Sequence, residues 1–285
     1  MRDSGTSSHP VEGSLVAGIA QTFVIAYKEP TEQLSEVLTA AGCDCTVLRQ
    51  VHQPGYETYS PSFLCLLNHR SAWELALRSQ KPTLIVEADF VPVKTMPFDP
   101  AATDTGIAWL YTCAAQIYNV IDNEKSNAAY GQGYSTSMVA YVITPNSARL
   151  LIELAAQVEK DPGPRAYSPW DSGIEYYLRD RGLRNYEPFR NYGEHGGLPN
   201  LEHQQNKLSK AHRADVLYGP LAFAPMYAYS HGQVNKLEWL KGRLYGRIKG
   251  LGRVYFNKYL RGEVIRKSEQ KGRLLKWALA RQLTL

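Results

Sequence analysis

Cysteine is scarce in this chain of 285 residues. The chain also lacks a hydrophobic run long enough to cross a bilayer. The four cysteines do not form a metal-ligand pattern, and such sparse use favours free thiols in a reducing compartment: Cys43, Cys45, Cys65 and Cys113. No stretch approaches the roughly 20 apolar residues of a transmembrane helix. Residues 1–10 are polar and lack the apolar segment of a signal peptide. We therefore expect a cytoplasmic protein.

Charge is unevenly distributed along the chain, although the formal net charge is only +5. Residues 236–285 contain fourteen Lys or Arg and three Glu, whereas the rest contains 18 basic and 24 acidic residues. Aliphatic residues recur at intervals of three and four within this basic segment: Leu237, Leu240, Leu244, Ile248 and Leu251. The pattern is typical of a helix on an anionic membrane surface, or of a helix packed on the protein with a solvated basic face. No nucleic-acid recognition motif accompanies the charge, so no nucleic-acid partner is expected.

Apolar runs alternate with amphipathic segments over most of the remaining chain. The runs predict strands at 22–27, 45–49, 83–87, 107–111 and 137–144, and the helical spacings predict helices at 31–41, 63–79 and 146–158. A strand, a helix and a strand in sequence imply a parallel pair with a crossover. The prediction is an α/β fold with a mostly parallel central sheet.

Two carboxylates stand at the carboxyl end of the most apolar predicted strand. Glu87 closes the run, and Asp89 follows after one residue. Open α/β sheets bind ligands at this edge, and two such carboxylates can hold one Mg²⁺ or Mn²⁺ that also binds substrate phosphates. That chemistry suits a nucleoside diphosphate leaving group. The alternative is an acidic strand end in a simple turn.

Four blocks of sequence resemble glycosyltransferase family 25, the lipooligosaccharide and collagen galactosyltransferase group. They are LLNHRSAWELAL at 66–77, KPTLIVEAD at 81–89, TSMVAYVITPNSARLL at 136–151 and PWDSGIEYYL at 169–178. In the same order, the family shows LSH…W…A, P.LILEDD, AYLIS..GA..LL and P.D..L. Ala88 replaces the middle carboxylate of the acidic block, and Asn68 replaces the serine of the first block.

The resemblance implies an inverting GT-A enzyme with a Rossmann-like fold. Such an enzyme transfers a sugar, for example galactose, from a nucleotide-sugar donor to a lipopolysaccharide, capsule or other surface-glycan acceptor. The expected organisation is a flexible N-terminus at 1–20, a GT-A catalytic domain at 21–235 and a basic, helical extension at 236–285. The charge and apolar spacing of this extension favour peripheral binding to the inner face of the cytoplasmic membrane. Because Ala88 interrupts the acidic motif, two alternatives stay open. One is a metal-independent transferase that uses a CMP-sugar, and the other is a non-catalytic glycan- or membrane-binding protein with a degenerate transferase fold.

Site roles follow from the same resemblance. Glu87 and Asp89 are the expected ligands of Mn²⁺ or Mg²⁺ and also donor contacts, and His195 would complete the metal shell. Asp171 is the expected general base, or the N-cap of the following helix, with Glu175 in reserve. His69 and Arg70 would bind the donor, the latter through its planar guanidinium on the pyrophosphate. Their alternatives are a core histidine and a solvated helix face.

Two glycine-containing stretches are expected to be loops. Residues 130–134 (YGQGY) predict a mobile loop near the donor. Residues 192–200 (YGEHGGLPN), which include His195, predict a lid, a phosphate-approaching loop or a simple exposed loop.

Overall fold

The computed structural model describes residues 18–95, 105–112, 115–122, 129–198, 202, 205, 211–256 and 262–283. Most of the expected flexible N-terminus, residues 1–17, lies outside this part of the chain. The strands are β1 (Gln21–Ala26), β2 (Cys45–Arg49), β3 (Thr83–Glu87), β4 (Phe90–Pro92), β5 (Thr105–Trp109), β6 (Ala115–Asp122), β7 (Ala129–Ser135), β8 (Ala140–Ile143), β9 (Arg184–Glu187), β10 (Gly193–His195), β11 (Tyr229–Ser230) and β12 (Gln233–Val234). The helices are α1 (Glu32–Ala40), α2 (Pro61–Ala76), α3 (Pro145–Lys160), α4 (Ile174–Arg179), α5 (Lys236–Phe256), α6 (Gly262–Lys267) and α7 (Lys271–Leu283).

One sheet of eight strands organises the described residues, in the order β2-β1-β3-β8-β5-β9-β7-β6. The pairings of β1 with β2, β1 with β3 and β5 with β9 are parallel, and the other four are antiparallel. Following these pairings across the sheet, six strands point the same way, and only β7 and β8 point the other way. The prediction of an α/β fold with a mostly parallel sheet is confirmed.

Local sequence signals position the elements of the parallel half. The left-handed Gly42, at φ 92°, ends α1 as predicted, because the Cys43 amide can then donate to the Leu38 carbonyl. At the start of α3, the Thr144 and Ser147 side chains form a reciprocal capping box, and Pro145 occupies the first turn. Strand and helix boundaries therefore follow from chemistry within a few residues.

Successive residues of the strands feed cores on opposite faces of the sheet. Phe23 and Ile25 point toward the cluster beneath α2, α3 and α4, whereas Val24 belongs to the cluster beneath α1 and β4. A third cluster joins β6 to α7 through Ile117 and Trp277. Both faces of the central strands are covered, which explains why β3 reads as an almost continuous apolar run.

Both glycine-containing stretches contain strands. Residues 129–135 form β7, where a Cβ on Gly133 would lie 2.1 Å from the Gln116 carbonyl oxygen, so the glycine permits close strand pairing. Residues 193–195 form β10, which pairs antiparallel with β4. The expectation of a mobile loop at 130–134 and that of an exposed loop at His195 are wrong, because cross-strand contacts order residues 130–134 and 193–195. Residues 199 and 200 of the second stretch lie outside the described part of the chain.

The C-terminal extension is helical, as predicted, and it is anchored to the sheet. Arg281 in α7 is fully buried and pairs with the fully buried Asp215 at 2.8 Å. Burial opposes ionisation of Asp215, but Arg281 and Arg253 hold its pKa below the usual value. Among the described residues, no helix combines the length and apolar character needed to cross a membrane.

Candidate metal centre

The acidic pair lies at the carboxyl edge of the sheet. Glu87 is the last residue of β3, and Asp89 lies in the turn before β4. Their side chains are 24% and 21% exposed, so both can meet a ligand while resting against protein on their other sides. The neighbouring parallel strand β1 ends at the same edge. This is the position at which open α/β sheets bind their ligands.

A third side chain reaches the pair from a distant part of the sequence. The pairing of β10 with β4 sets His195 opposite Phe90, and His195 Nε2 lies 2.8 Å from Asp89 Oδ2. The Gly196 amide donates to the Asp89 carbonyl at 2.8 Å. A Cβ on Gly197 would lie 2.2 Å from Asp89 Oδ2, so only glycine permits this close approach without a shift.

The three side chains have the geometry and chemistry of a cation site. Glu87, Asp89 and His195 each offer one ligand atom, and these atoms lie within 4.8 Å of one another. Asp89 Oδ1 is buried and has no hydrogen-bond partner among the described residues. A buried carboxylate oxygen without a partner is costly, and a cation would satisfy it. Two carboxylates and one imidazole therefore fit Mn²⁺, and their hard oxygens also suit Mg²⁺.

A buried relay holds Glu87 from the side of α2. His69 Nε2 lies 3.0 Å from Glu87 Oε1, and His69 Nδ1 lies 2.8 Å from the Tyr141 hydroxyl. A carboxylate only accepts, so Nε2 carries the proton in the neutral imidazole, and Nδ1 accepts from Tyr141. The Trp73 indole donates to the same hydroxyl at 2.8 Å. Burial raises the pKa of Tyr141, which keeps its hydroxyl protonated as a donor.

Basic and aromatic side chains fix the segment that carries His195. Arg213 donates to the carbonyls of His195 and Gly197, at 3.0 and 3.2 Å, and its guanidinium lies over the Tyr227 ring. The buried Glu194 accepts hydrogen bonds from Tyr227 and Arg243. The His195 backbone is therefore held on both sides of the residue.

A cleft of about 520 Å³ opens beside the acidic pair. Ala88 and Asp89 form one wall, and the first turn of α1 and the segment 223–229 supply much of the rest. Lining residues outside the acidic turn include Pro30, Gln33, Phe223, Met226 and Tyr229. The cleft combines apolar surface with a carboxylate, which is the usual composition of a small-molecule site.

Asp171 lies in the connection between α3 and α4. It occupies a 3₁₀ turn, Trp170–Gly173, where its carboxylate accepts from the Ser172 amide at 2.8 Å. It does not cap α4, whose N-cap position is Gly173. The pKa of the partly buried Cys65 thiol is raised, most by burial and then by the carboxylates of Glu87, Asp171, Asp89 and Glu202.

Two other candidates have partners away from this cluster. Glu175 is 1% exposed, and its carboxylate binds the Tyr118 hydroxyl at 3.1 Å and Arg179 at 3.4 Å. Burial raises the pKa of Glu175. Arg70 pairs with Glu74 and Glu159 at 2.9 and 3.0 Å on the surface of α2 and α3, which corresponds to the solvated helix face. His69 is fully buried and its Nε2 contacts Glu87, which matches the alternative of a core histidine.

Sequence reasoning gave no role in the site to Tyr141, Trp73 or Arg213. Tyr141 lies within the third resembling block and Trp73 within the first, but neither block shows that their polar atoms meet. Arg213 has no local signal, because it acts on backbone carbonyls 16 and 18 residues earlier in the chain.

Comparison with solved structures gives likenesses of low similarity, and two of them are to glycosyltransferases. The first is a glycosyltransferase involved in glycosylation of the major capsid of PBCV-1, with a TM-score of 0.39, 11% identity, and coverage of 60% of this chain and 82% of that one. The second is a mutant of Drosophila β-1,4-galactosyltransferase 7 in complex with manganese, UDP-Gal and xylobiose, with a TM-score of 0.38, 11% identity, and coverage of 67% and 74%. No family model and no curated protein matches the sequence. Likenesses of this size carry no argument about activity, so we infer function from the geometry of the site.

Proposed function

We propose that this chain is a metal-assisted glycosyltransferase that uses a nucleotide-sugar donor. The observation that carries the proposal is the convergence of Glu87, Asp89 and His195, with ligand atoms within 4.8 Å, at the strand edge beside a 520 Å³ cleft. The GT-A arrangement implied by family 25 belongs to the same proposal. It is supported by the mostly parallel sheet, whose β3 delivers the acidic pair to that edge.

Each residue would have a distinct task. Glu87, Asp89 and His195 would hold Mn²⁺ or Mg²⁺, and the ion would neutralise charge on the departing diphosphate. His69 would orient Glu87 through the buried relay, as outer-shell partners of metal ligands do. Asp171 would accept the proton of the acceptor hydroxyl, with Glu175 in reserve. The surrounding contacts of Arg70 favour a structural role over pyrophosphate binding.

The acceptor and the location are further parts of the proposal. We infer a surface-glycan acceptor, such as lipopolysaccharide or capsule, and a transferred hexose such as galactose, from the resemblance to family 25. Inversion of the anomeric centre has the same origin, whereas peripheral binding at the inner face of the cytoplasmic membrane is inferred from the basic, amphipathic segment 236–285.

A donor panel tests the proposal most directly. Thermal shifts with UDP-, GDP- and CMP-sugars, each with and without Mn²⁺, should show one nucleotide class that stabilises the protein only when the metal is present. A CMP-sugar that stabilises equally without metal would support the metal-independent alternative. Absence of both donor binding and donor hydrolysis would support a non-catalytic binding protein.

The substitution Asp89→Ala tests the metal role itself. It removes a ligand and the unpartnered Oδ1, so transfer should fall by more than about a hundredfold while the thermal midpoint is retained. The exposed Asp44 gives a matched control, and Asp44→Ala should leave transfer unchanged. Full turnover by Asp89→Ala, together with insensitivity to EDTA, would refute the metal role.

A further inference from the structure

The long helix α5 exposes one row of aliphatic side chains. Leu237, Leu240, Leu244 and Ile248 are 59%, 65%, 57% and 60% exposed, and Leu251 continues the row at 37%. At about 100° per residue, the five positions fall within roughly 80° of arc. We call this row the aliphatic stripe. Amphipathic helices of globular proteins normally turn such a row toward the core.

Glycines explain why the stripe faces outward. Gly242, Gly246 and Gly250 form the opposite face of α5, spaced four residues apart. A Cβ on Gly246 would lie 2.3 Å from the Ala214 carbonyl oxygen, and one on Gly250 would lie 2.4 Å from Asp215 Cβ. The backbone of α5 therefore packs closely against the rest of the protein at these glycines. This contact turns the aliphatic stripe away from the protein.

Charge narrows the range of partners. Residues 236–285 carry fourteen basic and three acidic residues, while the rest of the chain has an acidic excess. Lys241 beside the stripe is 60% exposed and pairs with Glu238 at 2.7 Å, and Lys271 and Arg273 on α7 are also exposed. A second copy of this chain would bring like charges together, which disfavours self-association through this face. An anionic lipid surface would attract the basic groups and accept the aliphatic side chains.

We propose that α5 lies in the interface of an anionic bilayer, with the aliphatic stripe inserted among the lipids and the glycine face against the protein. This deepens the proposed function by assigning the lipid-contacting face, and it rests on that function only for the identity of the acceptor. Membrane binding itself requires neither donor nor transfer, so the two proposals can fail separately.

Vesicle co-sedimentation of the full chain tests this assignment. Phosphatidylcholine vesicles containing phosphatidylglycerol should bind the protein, and pure phosphatidylcholine vesicles should bind it weakly. The double substitution Leu244→Asp/Ile248→Asp should lower the partition coefficient at least about tenfold, because it places charge in the apolar stripe. Val51, 69% exposed in the loop after β2, gives a matched control, and Val51→Asp should bind like wild type.

Further measurements separate the outcomes. The double variant should keep the wild-type thermal midpoint, since both side chains point away from the body, and Asp89→Ala should bind vesicles normally. A second variant, Lys236→Glu/Lys241→Glu, should weaken binding to anionic vesicles, and added salt should weaken it for wild type. Wild-type protein that ignores anionic vesicles, or a double variant that binds them equally well, would overturn the assignment. So would a dimer, seen by sedimentation velocity, that the double variant dissociates without any loss of vesicle binding.

Discussion

Each carboxylate of the candidate metal centre contacts one histidine, and the surroundings of the two histidines differ. His69 is fully buried in α2, with the rings of Tyr141 and Trp170 at 5.7 and 5.3 Å. His195 is 22% exposed, lies at the end of a three-residue strand and is followed by two buried glycines. The comparison indicates that the buried His69 positions Glu87, whereas the partly exposed His195 leaves space for a ligand beside Asp89.

Removing the buried His69 side chain should give the largest effect on the free energy of unfolding. His69→Ala leaves Glu87 without this donor and the Tyr141 hydroxyl without its acceptor, and it opens a cavity, so the free energy of unfolding should fall by about 2–4 kcal/mol. Urea denaturation measures it. Tyr141→Phe removes only the hydroxyl and should cost about 1–3 kcal/mol. If His69→Ala proved as stable as wild type, His69 would not differ from His195 in its contribution to stability.

Removing the partly exposed His195 side chain should lower metal affinity more than it lowers stability. His195→Ala should weaken Mn²⁺ binding by about 10–100-fold, as measured by isothermal titration calorimetry, because one of three candidate ligands is lost. The free energy of unfolding should change by less than about 1 kcal/mol, since the partly exposed imidazole fills little core volume. The exposed His231 is the matched control, and His231→Ala should leave Mn²⁺ affinity unchanged. Unaltered affinity in His195→Ala would remove this histidine from the centre.

The buried carboxylate of Glu175, which contacts neither histidine, should give the smallest effect on stability. This effect depends on pH. Burial raises the pKa of Glu175 in the folded state above its ordinary value of 4.5. The folded state therefore holds this proton more tightly, and the resulting stabilisation is lost as pH rises through the folded pKa. Denaturation at pH 4 and pH 7 should show Glu175→Gln gaining stability relative to wild type at the higher pH. A pH-independent difference between the two proteins would contradict this account.

Local sequence patterns were sufficient for most of the parallel half of the sheet. The predicted strands at 45–49 and 83–87 match β2 and β3, and the predicted helix at 31–41 contains α1. Apolar runs, helical spacing and the left-handed Gly42 act over a few residues, so neighbouring side chains suffice to predict them. The stretch YGQGY misled for the opposite reason: its glycines permit a close cross-strand contact with β6 rather than a turn.

The place of the carboxylate pair at the carboxyl edge of the sheet followed from the sequence alone, because Glu87 ends one apolar strand and Asp89 follows two residues later. Only the tertiary structure brought His195 to Asp89 across 106 residues, since that contact depends on the pairing of β10 with β4. The direction of the aliphatic stripe was likewise set by packing: the spacing predicted an amphipathic helix, and the glycine contacts with Ala214 and Asp215 turned its apolar face outward. Periodicity specifies which residues share a face, whereas long-range contacts decide where that face points.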